Sequence, residues 1–162
     1  MTTTINRATL ADLDTVAPLF DAYRQFYGQP SDLPRARRWL HERQQRGESV
    51  LLLARRDGAA VGFTQLYPMF SSVRTASTWV LNDLYVATTA RRAGVARALL
   101  DAAAEFARDD GAAGLMLETG RDNHAARALY RAAGWDEDDS QWYSLRFDAA
   151  GIADAARARD IL

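Results

Sequence analysis

Asn82-Asp83-Leu84-Tyr85-Val86-Ala87-Thr88-Thr89-Ala90-Arg91-Arg92-Ala93-Gly94-Val95-Ala96-Arg97 carries the chain from a strand into a helix within a single short passage. Its first five residues close a long strand signal that begins near Thr75. After it, Val95, Leu99, Ala102 and Phe106 recur on one face of a helix ending near Gly111. A helix start offers unpaired backbone N–H groups and the positive end of the macrodipole. Ala93, Gly94 and Ala96 keep bulk away from those groups, and Arg91, Arg92 and Arg97 add charge around them. A pyrophosphate is the natural guest. No Gly-Lys-Ser/Thr follows, so this is no Walker loop. The three-glycine dinucleotide spacing is also missing, and no β-α-β unit opens the chain. From average usage, a pattern of Arg or Gln, two residues, Gly, one residue, then Gly or Ala arises by chance in roughly one chain of this size in six. Its weight comes from the strand before it and the helix after it.

Outward from this passage, the pattern is mixed. Ile5 to Ala8 reads as a short strand, and Thr9 with Asp12 has the spacing of a capping pair. Val16, Phe20, Tyr23 and Tyr27 follow at near-helical spacing, with a kink or break expected at Pro18. Ser31-Asp32 with Pro34 marks a second helix, stopped by Gly47. Val50 to Ala54 is a continuous apolar run, as in a strand buried on both faces. Asp57-Gly58 is a hairpin signal, returning as Val61 to Tyr67. Downstream, Leu115 to Thr119 reads as a buried strand. Asn123 opens a helix with Ala126, Leu129, Tyr130 and Ala133 inward, and Trp142 to Phe147 reads as a last strand. Antiparallel strands first and a strand–helix–strand–helix–strand unit last give an α/β (α+β) class with a mixed, mostly antiparallel sheet.

The 162 residues suit one domain, 1–148, followed by an alanine-rich tail, 149–162, read either as a short helix or as a frayed end. An apolar content of 48% and a charged content of 25% are globular values that leave no room for large disorder. Twenty basic against 21 acidic side chains give a net charge of −1, so no global field gathers nucleic acid or an anionic membrane. With no cysteine, disulfides, thiolate metal sites and a cysteine nucleophile are excluded. His41 and His124 are isolated, and no metal-ligand spacing exists. The N-terminus lacks the apolar core of a signal peptide, so a soluble, cytoplasmic protein is expected.

Leu84-Tyr85-Val86, Arg91-x-x-Gly94-x-Ala96 and Asn123-x-x-Ala126-x-x-Leu129-Tyr130-x-x-x-Gly134-Trp135 together resemble the GCN5-related N-acetyltransferase (GNAT) superfamily. The resemblance runs over about residues 5–147, and the paired motifs are far more specific than either alone. The Asn82–Val86 strand, with Tyr23 to Tyr27 upstream, is similar to small bacterial members and to the spermidine/spermine acetyltransferase branch. The resemblance implies a sheet splayed between its fourth and fifth strands, with acetyl-CoA in the V. The pantetheine arm would pair with the main chain of Leu84 and Val86, and the pyrophosphate would rest on the N–H groups from Arg92 to Arg97. Asn123 and Ala126 would flank the arm. Tyr130 would direct its hydroxyl to the thioester sulfur, and the Tyr85 N–H would hold the thioester oxygen. A homodimer is also implied.

The activity implied is transfer of an acetyl group to a primary amine of a small molecule or peptide, by direct attack in a ternary complex. The alternative is an acyl-CoA-binding sensor or partner subunit with little catalysis. The amine must attack as a free base, and for a lysine-like amine at pH 7 that form costs roughly 4.6 kcal/mol. The polyamine branch carries an acid where this chain has Asn82, which cannot be a base. Asp83, Glu118 or ordered water remain, with Asp83 recognising substrate or orienting water. Its other reading is a strand carboxylate hydrogen-bonded at a bulge. Tyr130 has a bland reading too, as a core aromatic. Tyr23, Arg24, Phe26 and Tyr27 either line the acceptor pocket or pack the first helix. The run Asp136-Glu137-Asp138-Asp139 either attracts a cation or is a solvated turn.

Overall fold

The computed structural model describes residues 2–145 and 147. One sheet carries five strands in the order β1 (Thr3–Arg7), β2 (Val50–Arg56), β3 (Ala59–Ser71), β4 (Ala76–Val86) and β5 (Leu115–Met116). The first four pair antiparallel, and β5 joins β4 in parallel. The helices are α1 (Leu13–Phe26), α2 (Leu33–Gln45), α3 (Val95–Asp109) and α4 (His124–Ala132). This is the single α/β domain with a mixed sheet that the sequence pattern predicts.

β2 shows why its apolar run is continuous. Leu51 and Leu53 pack against α1 and α2, with Leu13, Val16, Phe20, Leu40 and Phe63. Val50, Leu52 and Ala54 face the other way, toward Val95, Leu99, Leu100 and Ala103 of α3. A strand alternates its faces, so covering both demands apolar residues at every position. Burying each leucine contributes about 2 kcal/mol.

Asp12 accepts from the Thr9 N–H at 2.9 Å and from its hydroxyl at 3.1 Å, which sets the entry to α1. α1 then runs unbroken through Pro18, so of the kink or break expected there no break forms. Asp32 caps α2 by accepting from Arg35 N at 3.0 Å. On α3 the buried stripe is Val95, Leu99, Leu100, Ala103 and Ala107, with Ala102 and Phe106 packed at its margin. The strand expected at Trp142 to Phe147 does not form over 142–145. Those residues join no ladder, and Trp142, Tyr143 and Leu145 are exposed. β5 is only two residues long and offers little edge to pair with. Arg146 and the 149–162 tail lie outside the described residues.

Candidate functional site

The V opens because β4 and β5 share only the pairs Trp79↔Leu115 and Val80↔Met116. Behind them Ala113 N donates to Ser77 O at 2.8 Å and Trp79 N to Gly114 O at 3.0 Å. Beyond Val80 the backbones part. The sequence extends β5 to Thr119, but the ladder stops at Met116, leaving Leu117, Glu118 and Thr119 to line a cavity instead. The cavity holds about 500 Å³ and runs from the start of α3 to the phenols of Tyr23, Tyr27 and Tyr130. Parting two strands leaves main-chain groups of β4 without ladder partners, ready for an extended guest. Gly62 holds the other side of that strand close. A Cβ there would stand 2.7 Å from the Tyr85 carbonyl oxygen.

At one end lies the start of α3. Gly94, at φ +78°, is the N-cap of α3 in the left-handed region, where glycine carries no steric penalty. The α-helical bond that opens α3 is Ala98 N to Gly94 O, at 3.0 Å, so the N–H groups of Val95, Ala96 and Arg97 are outside the helix ladder. The three arginines differ. Arg91 donates through Nε to Val86 O at 3.0 Å, with its guanidinium over the rings of Phe26 and Tyr85. Arg97 is held by Asp101 at 2.9 Å and donates to Ala132 O at 2.8 Å, tying α3 to the end of α4. Arg92 sits at φ +60° with no side-chain partner among the described residues, and it lines the cavity.

On the opposite wall, Asn123 caps α4, its Oδ1 accepting from Ala126 N at 3.2 Å. Ala126 and Tyr130 line the cavity from the same helix. Burial raises the Tyr130 phenol above its ordinary range, and proximity to Tyr27 adds to the effect.

The far end is built on an irregularity. Gln65 faces Asp83 and Leu66 faces Leu81, so Asn82 is an extra residue at a bulge in β4. Asn82 lines the cavity while Asp83 is buried behind it, 4% exposed. Asp83 accepts from Gln65 Nε2 at 2.6 Å and from Asn82 Nδ2 at 3.0 Å. Burial raises its carboxyl, and hydrogen bonding returns only part of that rise. Burial and the Asp83 charge likewise raise Tyr23 and Tyr27.

Of the residues singled out from sequence, Tyr27, Asn82, Leu84, Tyr85, Val86, Arg91, Arg92, Gly94, Val95, Ala96, Arg97, Glu118, Asn123, Ala126 and Tyr130 line this one cavity. Ala93 packs against the α3 core cluster instead, and Asp83 stands behind the wall. The sequence gives no role to Gln65. Its signal is Thr64-Gln65, two polar residues inside an apolar strand, and both are fully buried. Arg24 turns away to Asp21, at 3.1 Å. In the acidic run, Glu137 pairs with Arg127 and Arg131, and Asp138 accepts from Ser140. Among the described residues no cluster of three metal-ligating side chains exists, and no helix is long and apolar enough to cross a membrane.

Comparison with known proteins agrees with this geometry. Residues 15–135 match the family model "Acetyltransferase (GNAT) family". A Bacillus subtilis (strain 168) protein, "Uncharacterized N-acetyltransferase YhfO", is 46% identical over 134 residues, covering 83% of this chain and 90% of its own. The crystal structure of a probable acetyltransferase superposes with a TM-score of 0.86 at 42% identity, over 91% of this chain and 99% of that one. A ribosomal-protein-alanine N-acetyltransferase from Brucella melitensis biovar Abortus 2308 follows at 0.75 and 27%, over 90% and 100%. A splayed sheet, a glycine-capped start of α3 with free N–H groups and this degree of likeness lead to one conclusion: the chain belongs to the acetyltransferase (GNAT) family and is an acetyltransferase.

Proposed function

We propose that the chain moves the acetyl group of acetyl-CoA onto a primary amine, by direct attack within a ternary complex. The observation that carries this reading is the continuity of one cavity, from the free N–H groups of α3 to a cluster of phenols beside a buried carboxylate. An acetyltransfer site needs both ends, whereas a sensor needs only the first.

The residues present fit the coenzyme. The N–H groups of Val95, Ala96 and Arg97 suit a pyrophosphate, and Arg92 supplies an uncommitted charge. Leu84 and Val86 offer main-chain groups to the pantetheine amides, with Asn123 and Ala126 opposite. Acetyl-CoA, when bound, supplies the thioester carbonyl that the amine attacks. Asn82 and Glu118 face the acceptor, and Tyr130 donates a hydrogen bond to the departing sulfur. The acceptor is a primary amine of a small molecule or a peptide, the latter in keeping with the Brucella relative's alanine substrate.

Isothermal titration with acetyl-CoA, followed by thiol release across polyamines, amino acids, aminoglycosides and peptides, tests the reading. Micromolar binding with release on at least one amine is expected. Absence of binding overturns the proposal, and binding without release on any amine turns the assignment to a sensor.

A further inference from the structure

Little negative charge in this cavity is open to a cationic guest. Asp83 stands behind the wall with both carboxylate oxygens taken, Oδ2 by Gln65 Nε2 at 2.6 Å and Oδ1 by Asn82 Nδ2 at 3.0 Å. Asn82, which does reach the cavity, is neutral. The acidic run 136–139 lines no part of it, and Glu137 is held by Arg127 and Arg131. Among the described residues Glu118 is the one acid that lines the cavity, and it is exposed with no hydrogen bond or ion pair. Its side of the sheet is also defined. Leu115 and Leu117, two residues apart, both pack toward the α3 cluster. Strand alternation then turns Met116, 38% exposed, and Glu118 to the opposite face. That face is the one α1 covers, where the rings of Tyr23 and Tyr85 stand 6.3 Å apart. Tyr23, Phe26 and Tyr27 of α1 line the same cavity, and the arginines lie at its other end, by α3.

We propose that Glu118 determines acceptor specificity by holding a second positive charge, so that the preferred acceptor is a primary amine carrying another cationic group a few bonds away. This deepens the transfer reading and rests on it. A carboxylate paired with the reacting nitrogen would favour its protonated form, which cannot attack. Paired with a second cation, the same carboxylate supplies binding and leaves the reacting nitrogen free to lose its proton. The arginines by α3 repel a cation from the coenzyme end, and Glu118 attracts it on the α1 face, so the two ends together set the acceptor's orientation. The aromatic rings of α1 offer faces that suit an alkyl ammonium chain. Glu118 reaches this position because the β5 ladder stops at Met116 and frees the residues after it.

The test compares kcat/KM for acetyl-CoA-dependent acetylation within matched pairs of acceptors that differ by one positive charge. These are 4-amino-1-butanol against 1,4-diaminobutane, counted per amine, and alanyl-alaninamide against alanyl-lysinamide. Wild type should favour the doubly charged member of the pair it accepts by at least ~5-fold, the scale of one partly solvated ion pair. Glu118→Gln should remove that preference, chiefly through KM, and leave the singly charged member and acetyl-CoA affinity unchanged. Differences in amine pKa are common to both proteins and cancel in the comparison. The wild-type preference should also shrink between about 0.05 and about 0.5 M salt, as screening requires. Glu118→Asp should keep part of it. No preference in wild type, or one that Glu118→Gln leaves in place, overturns the assignment while acetyl transfer stands. A wild type that binds acetyl-CoA but acetylates no amine overturns the transfer reading, and the role of Glu118 with it.

Discussion

Burial lifts the Tyr130 phenol above its ordinary range, and that bears on what its hydroxyl can do for a leaving thiolate. Phenols titrate near 10 and thiols near 8.5, so full proton transfer is already uphill by about 2 kcal/mol, and the lift makes it steeper. A hydrogen bond to the developing charge has no such penalty. Such bonds are worth about 1.5–3 kcal/mol, so Tyr130→Phe should lower kcat roughly 10- to 100-fold with acetyl-CoA affinity unchanged. Thiol-release kinetics beside isothermal titration measure both, and an unchanged kcat would remove Tyr130 from the reaction. Arg92 makes the complementary case, a non-glycine residue at φ +60° just before α3. A left-handed arginine costs of order 1 kcal/mol that glycine does not. Arg92→Gly should therefore raise the unfolding free energy by up to about 1 kcal/mol while weakening acetyl-CoA several-fold and flattening its salt dependence. Urea unfolding and titration at two salt concentrations read the two effects separately. A variant that lost stability would show that the φ is not strained. The arginine triplet is plain in sequence. Which of the three keeps its charge uncommitted is not, because Asp101, Ala132 and Val86 claim the other two only after α3, α4 and β4 have packed.

Between elements, the firmest polar joint is Asp21 on α1. It accepts from the Ser31 hydroxyl at 2.6 Å, the Asp32 N–H at 2.8 Å, Arg24 at 3.1 Å and Gln25 at 3.2 Å, fixing the passage from α1 to α2. Burial raises this carboxyl, but Ser31, the Asp32 amide and Arg24 outweigh it and leave it below the ordinary value of 3.8. Because the folded pKa is lowered, its stabilisation is present above 3.8 and is lost as pH falls through the folded value. Asp21→Asn should cost about 3 kcal/mol at pH 7, and the gap to wild type should narrow as pH falls below 4. Urea midpoints across that range check it, and a gap constant with pH would contradict the assigned charge. Helix starts at Thr9 and Asp32 are legible in sequence because a cap is a matter of three adjacent residues. The Asp21 joint spans eleven positions, and Gln65 reaches Asp83 across a strand pair, so neither shows in any local pattern. Trp142 to Leu145 fails in the opposite sense. Its composition suits a strand, but a strand needs an edge to join, and β5 offers only two residues.

At the scale of the molecule, the sheet is well paired at one side and loosely paired at the other. β3 and β4 share ten register pairs and β4 and β5 two, so the wall that carries Leu117 to Tyr130 is held by a short ladder, by the Arg97 link to Ala132 and by partly buried side chains such as Leu117 and Leu129 against the α3 cluster. The order of the elements, the buried β2 and the start of α3 are readable from periodicity. The width of the V is not, since it depends on where a ladder stops, and apolar residues continue past that point. A wall held this lightly should open locally before the rest of the fold. Native-state hydrogen exchange is then expected to be fastest, within the sheet and its helices, at β5 and the start of α4, and slow across β2 and β3. A guest bridging the V ties the two sides together. At about 100 Kd of acetyl-CoA the stabilisation is about 2.7 kcal/mol, or about 5–11 °C in Tm for a chain of this size. In exchange, the same ligand should protect residues 115–130 more than β1 or β2. Uniform protection would mean that the V is rigid without its guest, and no rise in Tm would mean that acetyl-CoA does not bind there.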